Sequence, residues 1–269
     1  MYTKNVEKYC CRLETCSTVA LSPRGQDGYY EGIHFKREKM NKVAGDKKFN
    51  IIYPFYQYGC YEKYDPEHTQ YYIPGSSVKG AVGSSELGID DIIVDPKDIE
   101  LKKLYKLQHC LPVGKEKEDN KKVKLDDFFP QLAVEMMRAG VKASGDVFCK
   151  GDLESILSKT RLNTEQKLLQ LHRTLGEIIE KSVIDTEGEG DTKTKEILYK
   201  VWKNIKDKGY ESKYLEKNTA FIFLGGFKGL LLSKIYVGTD TLNGGIYIDR
   251  ENELPHGLVK ITLERRKDD

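Results

Sequence analysis

The run Tyr71-Tyr72-Ile73-Pro74-Gly75-Ser76-Ser77-Val78-Lys79-Gly80-Ala81-Val82 constrains this chain more than any other stretch. An apolar, aromatic approach reads as a strand, and Pro74-Gly75 forces a turn at its end. Two hydroxyl residues follow, then Lys79-Gly80 and small apolar residues that start a helix. Ser76 or Ser77 is expected to cap that helix by accepting its orphan N–H groups. Gly80 is expected to let another backbone approach. A helix start with free N–H groups, hydroxyls and a lysine suits a phosphate. A capped turn with one solvated lysine is the alternative reading, because one short motif has many false matches.

Two further stretches accompany it. Phe223-Leu224-Gly225-Gly226-Phe227-Lys228-Gly229-Leu230-Leu231-Leu232-Ser233-Lys234 is glycine-rich, and Pro255-His256-Gly257-Leu258-Val259-Lys260-Ile261-Thr262-Leu263-Glu264 ends in an alternating strand pattern. In this order the three stretches resemble the signatures of the RAMP superfamily, the RNA-binding subunits of type III CRISPR effector complexes. The third is similar to the closing strand of the type III-A (Csm-type) branch that caps the 3′ spacer end of the guide RNA. The resemblance implies an α+β fold with a ferredoxin-like, RRM-type core from residues 1–85 and 216–269, and a mostly helical insertion over 86–215. It implies a guide-RNA-binding, non-catalytic subunit supporting assembly and guide maturation in antiviral defence. Its partners would be single-stranded guide RNA, neighbouring RAMP backbone subunits and, during interference, target RNA. The loop at 74–80 and the glycines at 225–229 would come together on the guide backbone. Lys79 and Lys228 would supply charge, Ser76 and Ser77 hydroxyl contacts, and Gly75, Gly80, Gly225, Gly226 and Gly229 backbone donors. No cofactor is implied.

The family's target-cutting members carry an aspartate after the first strand in a Gly-Ile-Asp pattern. The nearest match here is Gly32-Ile33-His34-Phe35, with histidine at the acid's place, and Asp27 is misplaced for that role. This departure favours capping over cleavage. An endoribonuclease using His34 and an assembly-only protein remain the alternatives.

Composition sets outer limits. The chain has 269 residues, 39% hydrophobic and 32% charged, long enough to bury a substantial core. No apolar run approaches the ~20 residues a membrane helix needs, and the first residues lack a signal-peptide core. A cytoplasmic protein is the expectation. Net charge is only +2, so an RNA site requires uneven charge placement. The six cysteines (Cys10, Cys11, Cys16, Cys60, Cys110 and Cys149) form no CxxC pair and fit no common zinc spacing, so free thiols are expected. GxxxxGK[ST] is absent, which leaves nucleotide hydrolysis little support.

Periodicity supplies the elements. Tyr9, Cys11 and Leu13 alternate with charges in a strand over 8–20, and residues 49–53 read as another. Lys36, Arg37, Lys39 and Lys42 form a basic cluster. Residues 55–72 carry Phe55 and six tyrosines, each suited to a strand core or to stacking on bases. Residues 115–122 read as a charged hairpin tip. Asp126 and Asp127 read as a polar turn rather than an acid–base pair. Asn163 and Gln166 resemble a capping box opening a helix with Leu168, Leu171, Leu175 and Ile178 on one face. A second helix over 193–207 places Trp202 in its apolar stripe, and residues 230–237 fit strand or helix equally. Asn243-Gly244-Gly245 signals a turn.

Overall fold

A computed structural model describes residues 6–23, 28–36, 49–59, 61–109, 123–181, 190–233, 242 and 245–266. The strands before the first helix are β1 (Glu7–Thr15), β2 (Tyr29–Tyr30), β3 (Ile51–Tyr53) and β4 (Tyr71–Ile73), followed by α1 (Gly75–Val82). Next come β5 (Leu87–Ile89), β6 (Ile92–Val94), β7 (Ile99–Lys102), β8 (Tyr105–His109), β9 (Val123–Asp127), β10 (Leu132–Met137) and β11 (Lys142–Cys149). Two long helices, α2 (Leu153–Lys181) and α3 (Gly190–Asp207), precede β12 (Thr219–Phe223) and the short α4 (Gly229–Ser233). The last strands are β13 (Ile246–Asp249), β14 (Leu254–Pro255) and β15 (Leu258–Arg265).

The architecture is α+β. The central sheet runs β12-β15-β1-β11-β5, with every pair antiparallel. Alternation along β1 decides its two faces: Tyr9, Cys11 and Leu13 point inward. Leu13 lies opposite Ala143 of β11 and Ile261 of β15, and Cys11 opposite Gly145 and Leu263. Val78 and Val82 of α1 and Ile156 and Leu157 of α2 cover this face. Each such aliphatic side chain stabilises the fold by roughly 1.5–3 kcal/mol on burial. The other face is polar and self-paired: Lys8 meets Asp146 at 2.6 Å and Arg12 meets Glu264 at 2.9 Å. Exposed pairs of this kind contribute at most about 1 kcal/mol each.

A second core lies where Leu168, Leu171, Leu175 and Ile178 of α2 meet Leu198, Val201 and Ile205 of α3 over Phe221, Phe223 and Leu258. Two smaller sheets, β2-β3-β10-β7 and β14-β13-β8-β9, and the ribbon β4-β6 complete the layers. Among the described strands, β3 and β10 alone pair in parallel.

Several sequence expectations are corrected. Residues 86–215 are not mostly helical: seven strands occupy 87–149, and β11 lies inside the central sheet. These strands are short and rich in β-branched residues, and they pair with distant segments, so local helical spacing has no say there. Asn163 sits inside α2 rather than at its start. The cap is Asp152, whose side chain accepts the Glu154 N–H at 3.2 Å. The first strand ends at Thr15, short of residue 20. Trp202 is half-buried against the second core, with the His172 ring stacked on it at 4.6 Å. Residues 229–233 are helical, while residues 234–237, the hairpin tip at 115–122, Asn243-Gly244 and the basic cluster beyond Lys36 lie outside the described residues. The four described cysteines, Cys10, Cys11, Cys16 and Cys149, are free thiols. Among the described residues, no helix is long and apolar enough to cross a membrane.

Candidate nucleic-acid interface

The segment 71–82 folds as strand, turn and helix. Tyr71 and Ile73 point into the core, and Pro74 holds the position before the helix with φ −59°. Gly75 is there for space. A Cβ at this position would lie 1.8 Å from the Ile89 carbonyl oxygen, so no larger residue fits. Its N–H donates to the Asp91 carboxylate at 2.9 Å. The Ser77 N–H donates back to the Pro74 carbonyl at 2.9 Å. Neither serine side chain caps the helix: Pro74 is the cap residue, and Asp91 supplies the acceptor that Ser76 or Ser77 was expected to provide. Ser76 is exposed and Ser77 and Lys79 are half-buried. No carboxylate bonds Lys79 among the described residues. Gly80 faces open space, with nothing within 4 Å of its Cβ position, so it is not a site of close backbone approach.

The glycine-rich loop is braced internally. Gly225 has φ +90°, and a Cβ there would lie 2.3 Å from the Ala20 carbonyl oxygen. The Gly226 N–H donates to that same oxygen at 2.8 Å. Gly229 presses on the Gly245 carbonyl. The Lys228 ammonium donates to the Phe223 carbonyl at 3.0 Å. Burial, helped by the charge of Lys167, pushes its pKa down to about 8. Among the described residues, no hydrogen bond or ion pair joins 225–229 to 74–80. One stretch rests on Ile89 and Asp91, the other on Ala20 and Gly245. The donors assigned to Gly75 and Gly226 are engaged within the protein.

Beside α1 lies an arrangement that residue order did not disclose. Tyr58 stacks flat on Tyr72, with ring centroids 4.2 Å apart and planes 15° apart. The Tyr58 hydroxyl donates to Asp91 at 3.1 Å, the carboxylate that also holds the Gly75 N–H. The Tyr58 N–H donates to the Gln70 carbonyl and the Tyr72 N–H to the Tyr56 carbonyl, so this segment lines up along β4. Tyr58 is 45% exposed, whereas Phe55, Tyr64 and Tyr71 are buried. Across the ribbon, Tyr72 lies opposite Ile93, which is 62% exposed. Ile93 in turn lines an open cleft of about 900 Å³ over the polar face of the central sheet, together with Arg12, Glu14, Lys142 and Lys260. A Tyr-x-Tyr spacing identifies two residues on one strand face, but only the fold reveals which face is wet.

The remaining candidates are engaged within the protein. His34 Nδ1 accepts the Tyr30 N–H at 2.9 Å within a turn. Asp127 pairs with Lys103, and Asp126 lies 3.4 Å from Lys124. Thr18 Oγ1 bonds Asp249 at 2.9 Å and sits 2.6 Å from His256 Nδ1. All three side chains are buried, and burial holds the imidazole below its usual range. This grouping staples the chain after β1 to the β13–β14 turn. No group of three metal-ligating side chains occurs among the described residues. No family model matches the chain, and no curated protein matches it.

Proposed function

We propose that this chain is a non-catalytic guide-RNA-binding subunit of a type III-A CRISPR ribonucleoprotein, capping the 3′ spacer end. The observation that carries the reading is the Pro74–Val82 turn and helix. It presents exposed Ser76 on the first turn of α1 and half-buried Lys79 on its last turn, the lysine without an ion pair among the described residues, in the stretch that resembles the RAMP signature. The sheet order adds support. Within β15-β1-β11-β5, α1 connects β1 towards β5, and α2–α3 lie between β11 and β15. This order supports the reading of a βαββαβ, ferredoxin-like core with β12 added at the edge. Exposed Leu162 and Leu169 on α2, Tyr199 on α3 and Tyr214 beyond it offer apolar contacts for neighbouring subunits.

The test is binding and cleavage of labelled single-stranded RNA, with and without Mg²⁺. Binding without cleavage is expected, and it should weaken as salt rises. Lys79→Ala should reduce the slope of log K against log salt by about 0.7, the value for one lost phosphate contact on a single strand. Cleavage abolished by His34→Ala would replace the reading with a nuclease. The internal engagement of the glycine loop favours a second reading, a protein that only assembles neighbours. A Lys79→Ala variant with unchanged RNA affinity and salt slope would point to it.

A further inference from the structure

We propose that the outer face of Tyr58 is a stacking platform for a nucleobase of single-stranded RNA, from which the strand runs past Ile93 towards Lys142 and Lys260. This rests on the reading of the chain as an RNA binder and adds where a base is held. Four observations carry it. Tyr72 covers one face of the Tyr58 ring, and among the described residues no other ring lies against the second. The ring is fixed at both ends: its backbone bonds Gln70, and its hydroxyl bonds Asp91. A rigid aromatic face stacks on a base with little loss of side-chain freedom, and does so for any base, since every base has a π-face. The patch is continuous, because Tyr72 and Ile93 are cross-strand neighbours and Ile93 borders the cleft.

Charge completes the argument. In the cleft, Arg12 is already paired with Glu264. Lys142 and Lys260 both lie opposite Glu14 in register, two cations against one carboxylate. Asp95 and Asp98 also line the cleft, but each is paired, with Lys97 at 2.7 Å and with Arg138 at 2.8 Å. With those partners counted, the one positive charge left over is shared between Lys142 and Lys260 and suits a phosphate backbone. Asp91 sits at the hydroxyl edge of Tyr58 and disfavours a phosphate there, so the geometry places the base on the ring and the backbone on the cleft side.

The test uses the full chain and two labelled strands, an unstructured oligouridine and an abasic strand of equal length. Wild type should prefer the base-bearing strand by about tenfold, the usual worth of one stacked base. Tyr58→Ala should lose that preference while binding the abasic strand as wild type does, which also reports that the variant is folded. Tyr58→Phe should keep the preference. Tyr58→Trp should show emission quenched by oligouridine and not by the abasic strand, over the constant signal of Trp202. If Tyr58→Ala keeps the base preference while RNA still binds, the platform is overturned and the guide-RNA reading stands. If no variant binds either strand, both fall. If Tyr58 is protected by a protein partner and the base preference is unchanged, the patch is an assembly surface and the platform is overturned.

Discussion

Glu135 is the group through which pH should act on this fold. It lies on β10 at 1% exposure. Its Oε1 accepts the Tyr71 hydroxyl at 2.5 Å and its Oε2 accepts the Phe55 N–H at 2.9 Å. Burial raises its pKa to about 7, against the pull of the Tyr71, Phe55 and Tyr64 donors. The folded pKa thus exceeds the unfolded value. Between about 4.5 and about 7 the native chain keeps a proton that the unfolded chain has lost, so stability falls as pH rises across that window. A difference of about 2.5 pH units at 1.36 kcal/mol per unit amounts to roughly 3 kcal/mol. In Glu135→Gln the amide oxygen can face the Phe55 N–H and the amide N–H₂ the Tyr71 oxygen, so packing is kept and titration removed. Urea unfolding from about pH 5 to about pH 8 gives ΔG for both proteins. Because part of the effect lies below pH 5, the variant should gain about 2.5 kcal/mol on wild type between the two ends. His256, whose buried imidazole works in the opposite direction, contributes equally to both and cancels. Parallel stability curves for the two proteins would refute the reasoning.

Three further outcomes are expected. Gly75→Ala should destabilise by about 3 kcal/mol or more, because its Cβ would overlap the Ile89 carbonyl. Gly80→Ala, in open space on the same helix, should instead stabilise by about 1 kcal/mol, and thermal melts of the two separate them. Lys228→Met should leave RNA affinity unchanged. Wild type gains stability from about pH 8 to about pH 10.5, where the unfolded lysine still holds its proton and the native one does not. Urea titrations of Lys228→Met should lack that rise.

The parts of the fold that sequence discloses are those whose signal is local. Cys11 and Leu13 alternate with Arg12 and Glu14, and Val259, Ile261 and Leu263 with Lys260 and Thr262, so β1 and β15 declare their buried faces. The stripe Leu168, Leu171, Leu175 likewise declares α2. What stays hidden depends on partners far along the chain. The three-residue strands β5 and β6 carry too few alternations to be read, and their pairing with β11 and β4 is not written in neighbours. In the site, the Pro74–Gly75 turn is legible, but the reason for Gly75 is not, since the oxygen it avoids belongs to Ile89. Lys79 and Lys228 look alike in sequence. Both are half-buried, and only the fold draws one of them towards the Phe223 carbonyl.

The position of β15 has a consequence for how the molecule is made. It lies between β12 and β1, and β1 receives both of its neighbours late, β11 from residue 142 and β15 from residue 258. At roughly 5–20 residues per second, β1 waits on the order of ten to fifty seconds on the ribosome for β15 to be synthesised. During that time its inward row of Tyr9, Cys11 and Leu13 has no β15 partner, and the central sheet closes only once β15 has been made. Until then the nascent chain carries β1 with an unpaired edge, the kind of surface on which another chain can pair.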